Sequence, residues 1–230
     1  MQIAGWQKTS LIEYPEHISA IIFIWGCNFL CPYCHNPELV KKRLQPKLLP
    51  AEEIFAFLAK RKNVLEAVSI TGGEPLLYPE IIDFIKRIKT LSYLVKLDTN
   101  GTNPFLLEKI IDLKLVDYIA MDIKAPLEKY EKITGVRVDL EKIKKSIKLI
   151  MNSGIKYEFR STILPALHDQ EDVMGMARLI QGAKRYYLQN FVNQGKLLDE
   201  TLKNELGFKK EELVSMAKAC QELVRECMIR

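Results

Sequence analysis

Three of the five cysteines, Cys27, Cys31 and Cys34, fall within eight residues in the segment Gly26-Cys27-Asn28-Phe29-Leu30-Cys31-Pro32-Tyr33-Cys34-His35-Asn36-Pro37. Three thiolates spaced C-x3-C-x2-C can turn inward together and hold three irons of a cubane cluster, because sulfur ligands suit iron-sulfur centres. One iron would then lack a protein thiolate, and an open metal position marks a centre that acts on a ligand. Other chemistries fit the same residues. Cys27, Cys31, Cys34 and His35 could make a Cys3His zinc site, although adjacent Cys34 and His35 are badly placed to reach one tetrahedral ion. Cys31-Pro32-Tyr33-Cys34-His35 also matches the C-x-x-C-H pattern of haem attachment, against which stands the extra Cys27. Inert core thiols are the fourth reading, and Gly26, Pro32, Asn36 and Pro37 make the segment loop-like instead.

A second cluster follows at Thr71-Gly72-Gly73-Glu74-Pro75. Paired glycines let a backbone approach a ligand closely, and Glu74 can accept from an ammonium group. Alone this is an ordinary turn with an acid at a helix start. Its force comes from position, because both clusters end β-type runs, where parallel α/β folds place their sites.

Six such runs, at about 18–25, 67–71, 94–99, 118–123, 157–162 and 186–191, are rich in β-branched and aromatic residues. Between them lie helical patterns. Ile81, Ile82, Phe84, Ile85 and Ile88 recur at spacings of three and four, as do Leu106, Ile110 and Leu113, then Ile143, Ile147 and Ile150. Asn103 before Pro104 is an N-cap signal and Gly154 a helix stop. The alternation predicts parallel strands with right-handed crossovers, in an open doubly wound sheet or a partial barrel, periodicity alone not choosing between them. A C-terminal helix is expected at about 209–229, with Cys220 and Cys227 as small apolar core residues on its stripe.

With 230 residues and no linker or repeat, a single domain spanning 1–230 is the expectation. The 34 Lys and Arg against 29 Asp and Glu leave a dispersed net charge of +5, which implies no nucleic-acid partner. The longest apolar run, 20–25, is far short of the ~20 residues that span a membrane, and residues 1–10 lack the apolar core of an export signal. A cytoplasmic protein with no membrane partner is expected. In that reducing compartment clustered cysteines read as metal ligands.

Together, C-x3-C-x2-C with Tyr33 before the third cysteine and Gly-Gly-Glu-Pro after the second strand resemble the radical S-adenosylmethionine superfamily. Residues 5–15 (Gly-Trp-Gln-Lys-Thr-Ser-Leu-Ile-Glu-Tyr-Pro), 31–39, Asp98-Thr99-Asn100-Gly101 and Asp122-Ile123-Lys124 resemble more narrowly the activating proteins of anaerobic ribonucleoside-triphosphate reductase, relatives of the pyruvate formate-lyase activating enzymes. The likeness runs from about residue 5 to 196. It implies a partial (β/α)6 TIM-type barrel with parallel strands. It also implies a 4Fe-4S cluster on Cys27, Cys31 and Cys34, whose fourth iron takes the amino and carboxylate groups of S-adenosylmethionine. Reductive cleavage of that cofactor gives a 5'-deoxyadenosyl radical, which abstracts a glycine hydrogen from a glycyl radical enzyme.

The remaining roles come from the same resemblance. Tyr33 would pack beside cluster and adenine, and Gly72, Gly73 and Glu74 would bind the methionine amino group. Asp98, Thr99 and Asp122 would position the methionine end and hold a monovalent cation, since oxygen ligands suit a hard cation. Lys124 would donate to the methionine carboxylate. Arg160 would reach that carboxylate or an acidic substrate and Gln189 would face adenine, both subject to one residue of register. His35 and His168 are left as loop histidines. The implied partners are anaerobic ribonucleotide reductase and an electron donor such as a flavodoxin or ferredoxin. No cysteine lies between Cys34 and Cys220, so the extra clusters of some activases are excluded. The alternatives are a small-molecule radical enzyme, an activator of another glycyl radical enzyme, or a non-catalytic iron-sulfur electron carrier.

Overall fold

Short apolar runs that alternate with amphipathic segments bury strands on both faces and leave each helix one stripe for the sheet. The computed structural model describes residues 1–193 and 195–230. Its strands are β1 (Ile3–Tyr14), β2 (His17–Ile24), β3 (Ala67–Gly72), β4 (Leu94–Thr99), β5 (Tyr118–Asp122), β6 (Lys156–Ile163), β7 (Tyr186–Asn190) and β8 (Cys227–Ile229). The helices are α1 (Ala51–Lys60), α2 (Ile81–Thr90), α3 (Pro104–Asp112), α4 (Tyr130–Thr134), α5 (Leu140–Asn152), α6 (Gln170–Leu179) and α7 (Lys210–Cys220). The strands form one sheet in sequential order, β1 antiparallel to β2 and every later neighbour parallel.

Sequential order decides what periodicity left open. A doubly wound sheet reverses direction at a switch point, whereas each crossover here adds the next strand on the same side, as in a barrel. The fold is a partial TIM-type barrel, with β2–β7 as its six β/α units and β1 and β8 at the two edges. One strand face carries Ile22, Ile70, Val95, Leu97, Ile119, Met121 and Phe159 into the core beneath the helices. The other face is polar, with buried Ser69, Lys96, Asp98 and Glu158 and partly buried Arg160 on β3, β4 and β6. Charged residues on an interior face need partners, and the pairing of Lys96, Asp98 and Arg160 reaches into the site.

The local signals act as expected at three points. α2 buries Ile81, Ile82, Phe84, Ile85 and Ile88. Asn103 caps α3, its side-chain oxygen accepting from Leu106 N at 3.2 Å with Pro104 at the first helical position. Beyond α5, Gly154 takes φ +73°, open to glycine at little cost.

The C-terminus corrects one expectation. The helix expected at about 209–229 stops at Cys220, and the chain turns back through 221–226 to add β8 beside β7. Cys227 is buried in a strand, and its seven-residue distance from Cys220 only imitates a helical stripe. Both cysteines are core residues. No helix among the described residues is long and apolar enough to cross a membrane.

Candidate active site

The ends of β2–β6 converge on one cavity. Its lining joins Cys27, Cys31, Tyr33, Cys34 and His35 from the loop after β2 to Thr71, Gly72 and Gly73 after β3, and to Asp98, Thr99, Asn100, Asp122, Lys124, Arg160 and Thr162. Almost every residue expected at the site is therefore present.

The cysteine loop is pinned from several sides. Gly26 N donates to Leu39 O at 2.9 Å, Leu30 N to Thr134 O at 2.7 Å, and Leu198 N and Asp199 N to Cys34 O and Pro32 O, both at 2.9 Å. Asn28 is clasped to the loop after β4, accepting from Asn100 Nδ2 at 2.8 Å and donating to Thr102 Oγ1 at 2.9 Å. Burial pushes the Cys27 thiol up to about 12 and the Cys31 thiol up to about 11, and raises Cys34, while Lys124 nearby pulls all three the other way. Such thiols keep their protons at neutral pH and surrender them to a metal. No three His, Cys, Asp or Glu among the described residues are arranged around a single metal ion. A cubane does not ask for that, because each thiolate takes its own iron.

The glycine pair serves packing more than the expectation allowed. A Cβ on Gly73 would stand 1.9 Å from Gly26 O, and one on Gly72, at φ +117°, 2.4 Å from Ile24 N and O. What the backbone approaches is the exit of β2, and Gly73 N and Glu74 N donate to Ile24 O at 2.8 Å and Gly26 O at 2.7 Å. The glycines seat the cysteine loop on β3 while also lining the cavity.

Glu74 departs from its expected place. Its carboxylate is fully buried and is not among the lining groups. Oε1 accepts from Leu76 N at 3.0 Å and Thr99 Oγ1 at 2.8 Å, and Oε2 from Asn100 N at 2.6 Å. Burial raises its titration to about 7 against these bonds. Its direct work is to tie the end of β3 to the turn after β4.

Asp98, Asp122, Lys124 and Arg160 form one chain of charges. Arg160 Nη1 is 3.1 Å from Asp98 Oδ2 and its Nε 3.0 Å from Asp122 Oδ1, while Lys124 Nζ is 3.1 Å from Asp122 Oδ2. Lys96, only 1% exposed, extends the chain, with Nζ 2.6 Å from Asp98 Oδ1 and 2.7 Å from Glu13 Oε1 on β1. Burial alone would push the Asp122 carboxyl up, yet Arg160 and Lys124 hold it at about 2; Asp98 is held low in the same way by Arg160 and Lys96. All four carboxylate oxygens of Asp98 and Asp122 are thus committed to a fixed cation. A monovalent cation, expected on Asp98, Thr99 and Asp122, does not fit this donor set.

Since Asp122 titrates near 2 in the folded chain against an ordinary 3.8, the unfolded chain binds the extra proton first. Its contribution is present above pH ~4 and is lost as pH falls through ~2, a loss of about 2 kcal/mol. Urea midpoints measured from pH ~5 down to ~2 are expected to fall by this share, and less steeply in Asp122→Asn, which has no carboxylate to protonate.

Tyr33 supports the fit of a cofactor. It is buried at the cavity wall, and its hydroxyl has no hydrogen-bond partner among the described residues. Gln189 stands one step back, accepting from Thr162 Oγ1 at 3.4 Å, and is not among the lining groups.

Sequence reasoning missed three participants. Lys96 lies two residues before Asp98, and strand period alone puts both on one face. Asn100 stood only within the 98–101 segment of the resemblance, with no role of its own. His168 is a loop residue as expected, but a buried and bonded one; its Nδ1 accepts from Leu164 N at 3.4 Å and its Nε2 is 3.1 Å from Lys124 O, which fits a neutral ring donating from Nε2. It also meets Tyr33 edge to face at 6.2 Å. His35 lines the cavity and stacks on Phe191 at 5.4 Å.

Comparison with known proteins agrees with this geometry. Residues 21–180 match the Radical SAM superfamily. A protein of Methanocaldococcus jannaschii, assigned by its name to the glycyl-radical enzyme activating enzymes, is 35% identical over 236 residues, covering 99% of this chain and 95% of its own. The pyruvate formate-lyase-activating enzyme of Clostridium pasteurianum is 30% identical over 243 residues, covering 97% and 98%. In fold, Streptococcus suis SuiB bound to its precursor peptide superposes with a TM-score of 0.66 at 17% identity over 91% of this chain and 48% of that one.

Proposed function

This chain belongs to the radical S-adenosylmethionine superfamily and to its glycyl-radical-enzyme activating enzymes, and from that premise we propose that it installs a glycyl radical on an anaerobic ribonucleoside-triphosphate reductase. The observation that carries the activase reading is the single cavity that unites three anchored thiols with Lys124, Arg160 and the orphan hydroxyl of Tyr33. The segment 5–15, which carries much of the narrower likeness, lies almost wholly in the antiparallel edge strand β1, with Pro15 in the turn after it.

The residues divide the work. Cys27, Cys31 and Cys34 hold three irons of a 4Fe-4S cluster and leave one corner for S-adenosylmethionine. When bound, the pair supplies the radical chemistry that removes a glycine hydrogen atom. Lys124 sits close enough to the thiols to lower their titration and receives the methionine carboxylate. The backbone of Gly72 and Gly73 meets the amino group, and Glu74 supports it from behind through Thr99 and Asn100. The Tyr33 hydroxyl faces the cofactor, with Gln189 beyond Thr162 on the adenine side. Asp98 and Asp122 hold Arg160 and Lys124 in charged, oriented form. Asp122, Lys124 and Arg160 are still partly exposed, so a substrate loop that covers the cavity would exclude water from them. A flavodoxin or ferredoxin in the cytoplasm supplies the electron.

Anaerobic reconstitution with iron and sulfide, reduction, and incubation with S-adenosylmethionine and the candidate reductase tests the reading. The expected result is a glycyl radical doublet in electron paramagnetic resonance with matching 5'-deoxyadenosine. Cofactor cleavage without a doublet would move the target to a small molecule or another glycyl radical enzyme. No cleavage at all would leave an electron carrier.

A further inference from the structure

We propose that Arg160, backed by Lys96, is a built-in counter-cation that occupies the place between Asp98 and Asp122 where a monovalent ion would sit, so that the site works without one. The inference deepens the reading of this cavity as a cofactor site, and only one arm of its test depends on that reading.

A hard cation needs several oxygens with free lone pairs converging on one point. Here the four carboxylate oxygens each face a fixed cation: Asp98 Oδ1 faces Lys96, Asp98 Oδ2 and Asp122 Oδ1 face Arg160, and Asp122 Oδ2 faces Lys124. The Thr99 hydroxyl is committed too, donating to Glu74 and accepting from Gly101 N at 3.0 Å. Charge agrees with geometry. Glu13, Asp98 and Asp122 balance Lys96, Arg160 and Lys124, so a further cation would add an uncompensated charge beside a guanidinium.

Arg160 is shaped for this part. Its planar fork lets Nε and Nη1 serve different carboxylates, bridging β4 and β5 from β6, which an ammonium on a flexible stem does poorly. Its Nη2 has no hydrogen bond among the described residues, so it can meet an anionic group in the cavity as a bound ion would. Arg160 is in this sense a positioning residue as well as a contact.

The test compares wild type with Arg160→Gln, which keeps a polar side chain and removes the charge. Isothermal titration calorimetry of the cluster-free full chain in tetramethylammonium buffer is expected to give no saturable Na+ or K+ binding in wild type and saturable binding in the variant. In reconstituted holoenzyme, wild-type 5'-deoxyadenosine formation is expected to change less than about twofold when Na+ and K+ are replaced by tetramethylammonium. The variant is expected to lose about tenfold or more, the scale of one charge-assisted contact, and to regain part of it with added K+. Saturable ion binding by wild type, a severalfold loss of wild-type activity without alkali ions, or a folded variant that gains no ion binding would each overturn the proposal. If Arg160→Gln does not fold, wild-type calorimetry decides the matter alone. If the holoenzyme cleaves no cofactor, the functional reading fails while the ion-binding result stands.

Discussion

Alanine at Cys27, Cys31 or Cys34 is expected to leave a folded chain that no longer holds its cluster. Each thiolate of a cubane serves a different iron, so losing one exposes a second corner and no neighbour can substitute. The imidazole next in sequence, His35, is stacked on Phe191. After anaerobic reconstitution the iron content should fall from about four per chain to well below that, and the cluster's broad visible absorption should vanish. Cofactor cleavage should drop by about 10³-fold or more, since the electron has no route to the sulfonium. Stability without iron should change little, by about 1 kcal/mol, because one sulfur atom is removed from a loop fastened by backbone bonds. Cys220→Ala and Cys227→Ala are the contrasting pair. Both residues are core groups, so they should lower the urea midpoint while iron loading stays at the wild-type level. Normal loading after any substitution in the first set would show that the loop does not carry the cluster.

These two cysteine populations were separable by spacing, and much of the fold was legible for similar reasons. The six strands β2–β7 are compact apolar runs bounded by turn residues, and the crossovers after β3, β4 and β5 show clean helical spacing. β1 was not legible, because it is an edge strand with exposed Gln7, Lys8 and Thr9 and register shifts that break its alternation. β8 is too short for any period to show. In the site, the thiols were identifiable by type and spacing, whereas Asp98, Asp122, Lys124 and Arg160 were singled out through the family resemblance. Who pairs with whom was not. Register decides that Arg160 lies opposite Asp122, and a shift of one residue would have turned it away. Strand period sets Lys96 behind Asp98, and with Arg160 in register a cation site on paper becomes a closed ion-pair chain. Glu74 shows the same limit, since a carboxylate after two glycines can face ligand or backbone, and only the packing of β3 on β4 selects the backbone.

That packing makes Gly73→Ala the most damaging single methyl addition. The added Cβ would lie 1.9 Å from Gly26 O, 2.5 Å from Gly26 C and 3.1 Å from Cys27 N, all main-chain atoms that no rotamer change can move. The blocked carbonyl also accepts from Glu74 N at 2.7 Å, so relief must break that bond or push Gly26 and Cys27 away from β3. Cys31 and Cys34 would not follow, because Pro32 O and Cys34 O are held by the segment at 198–199. Cys27 would separate from its two partners with all three thiols still present. The expected outcome is a loss of about 2–5 kcal/mol in urea unfolding, the range of strained or overpacked core sites. Iron loading should fall alongside it to the level of the cysteine variants. Gly5→Ala is the control, since nothing lies within 4 Å of its Cβ and it should stay within about 0.5 kcal/mol of wild type. Wild-type iron content in Gly73→Ala would mean that the glycine pair serves only an incoming ligand. Loss of iron with every cysteine intact would establish that β3 holds the loop in the shape the cluster needs.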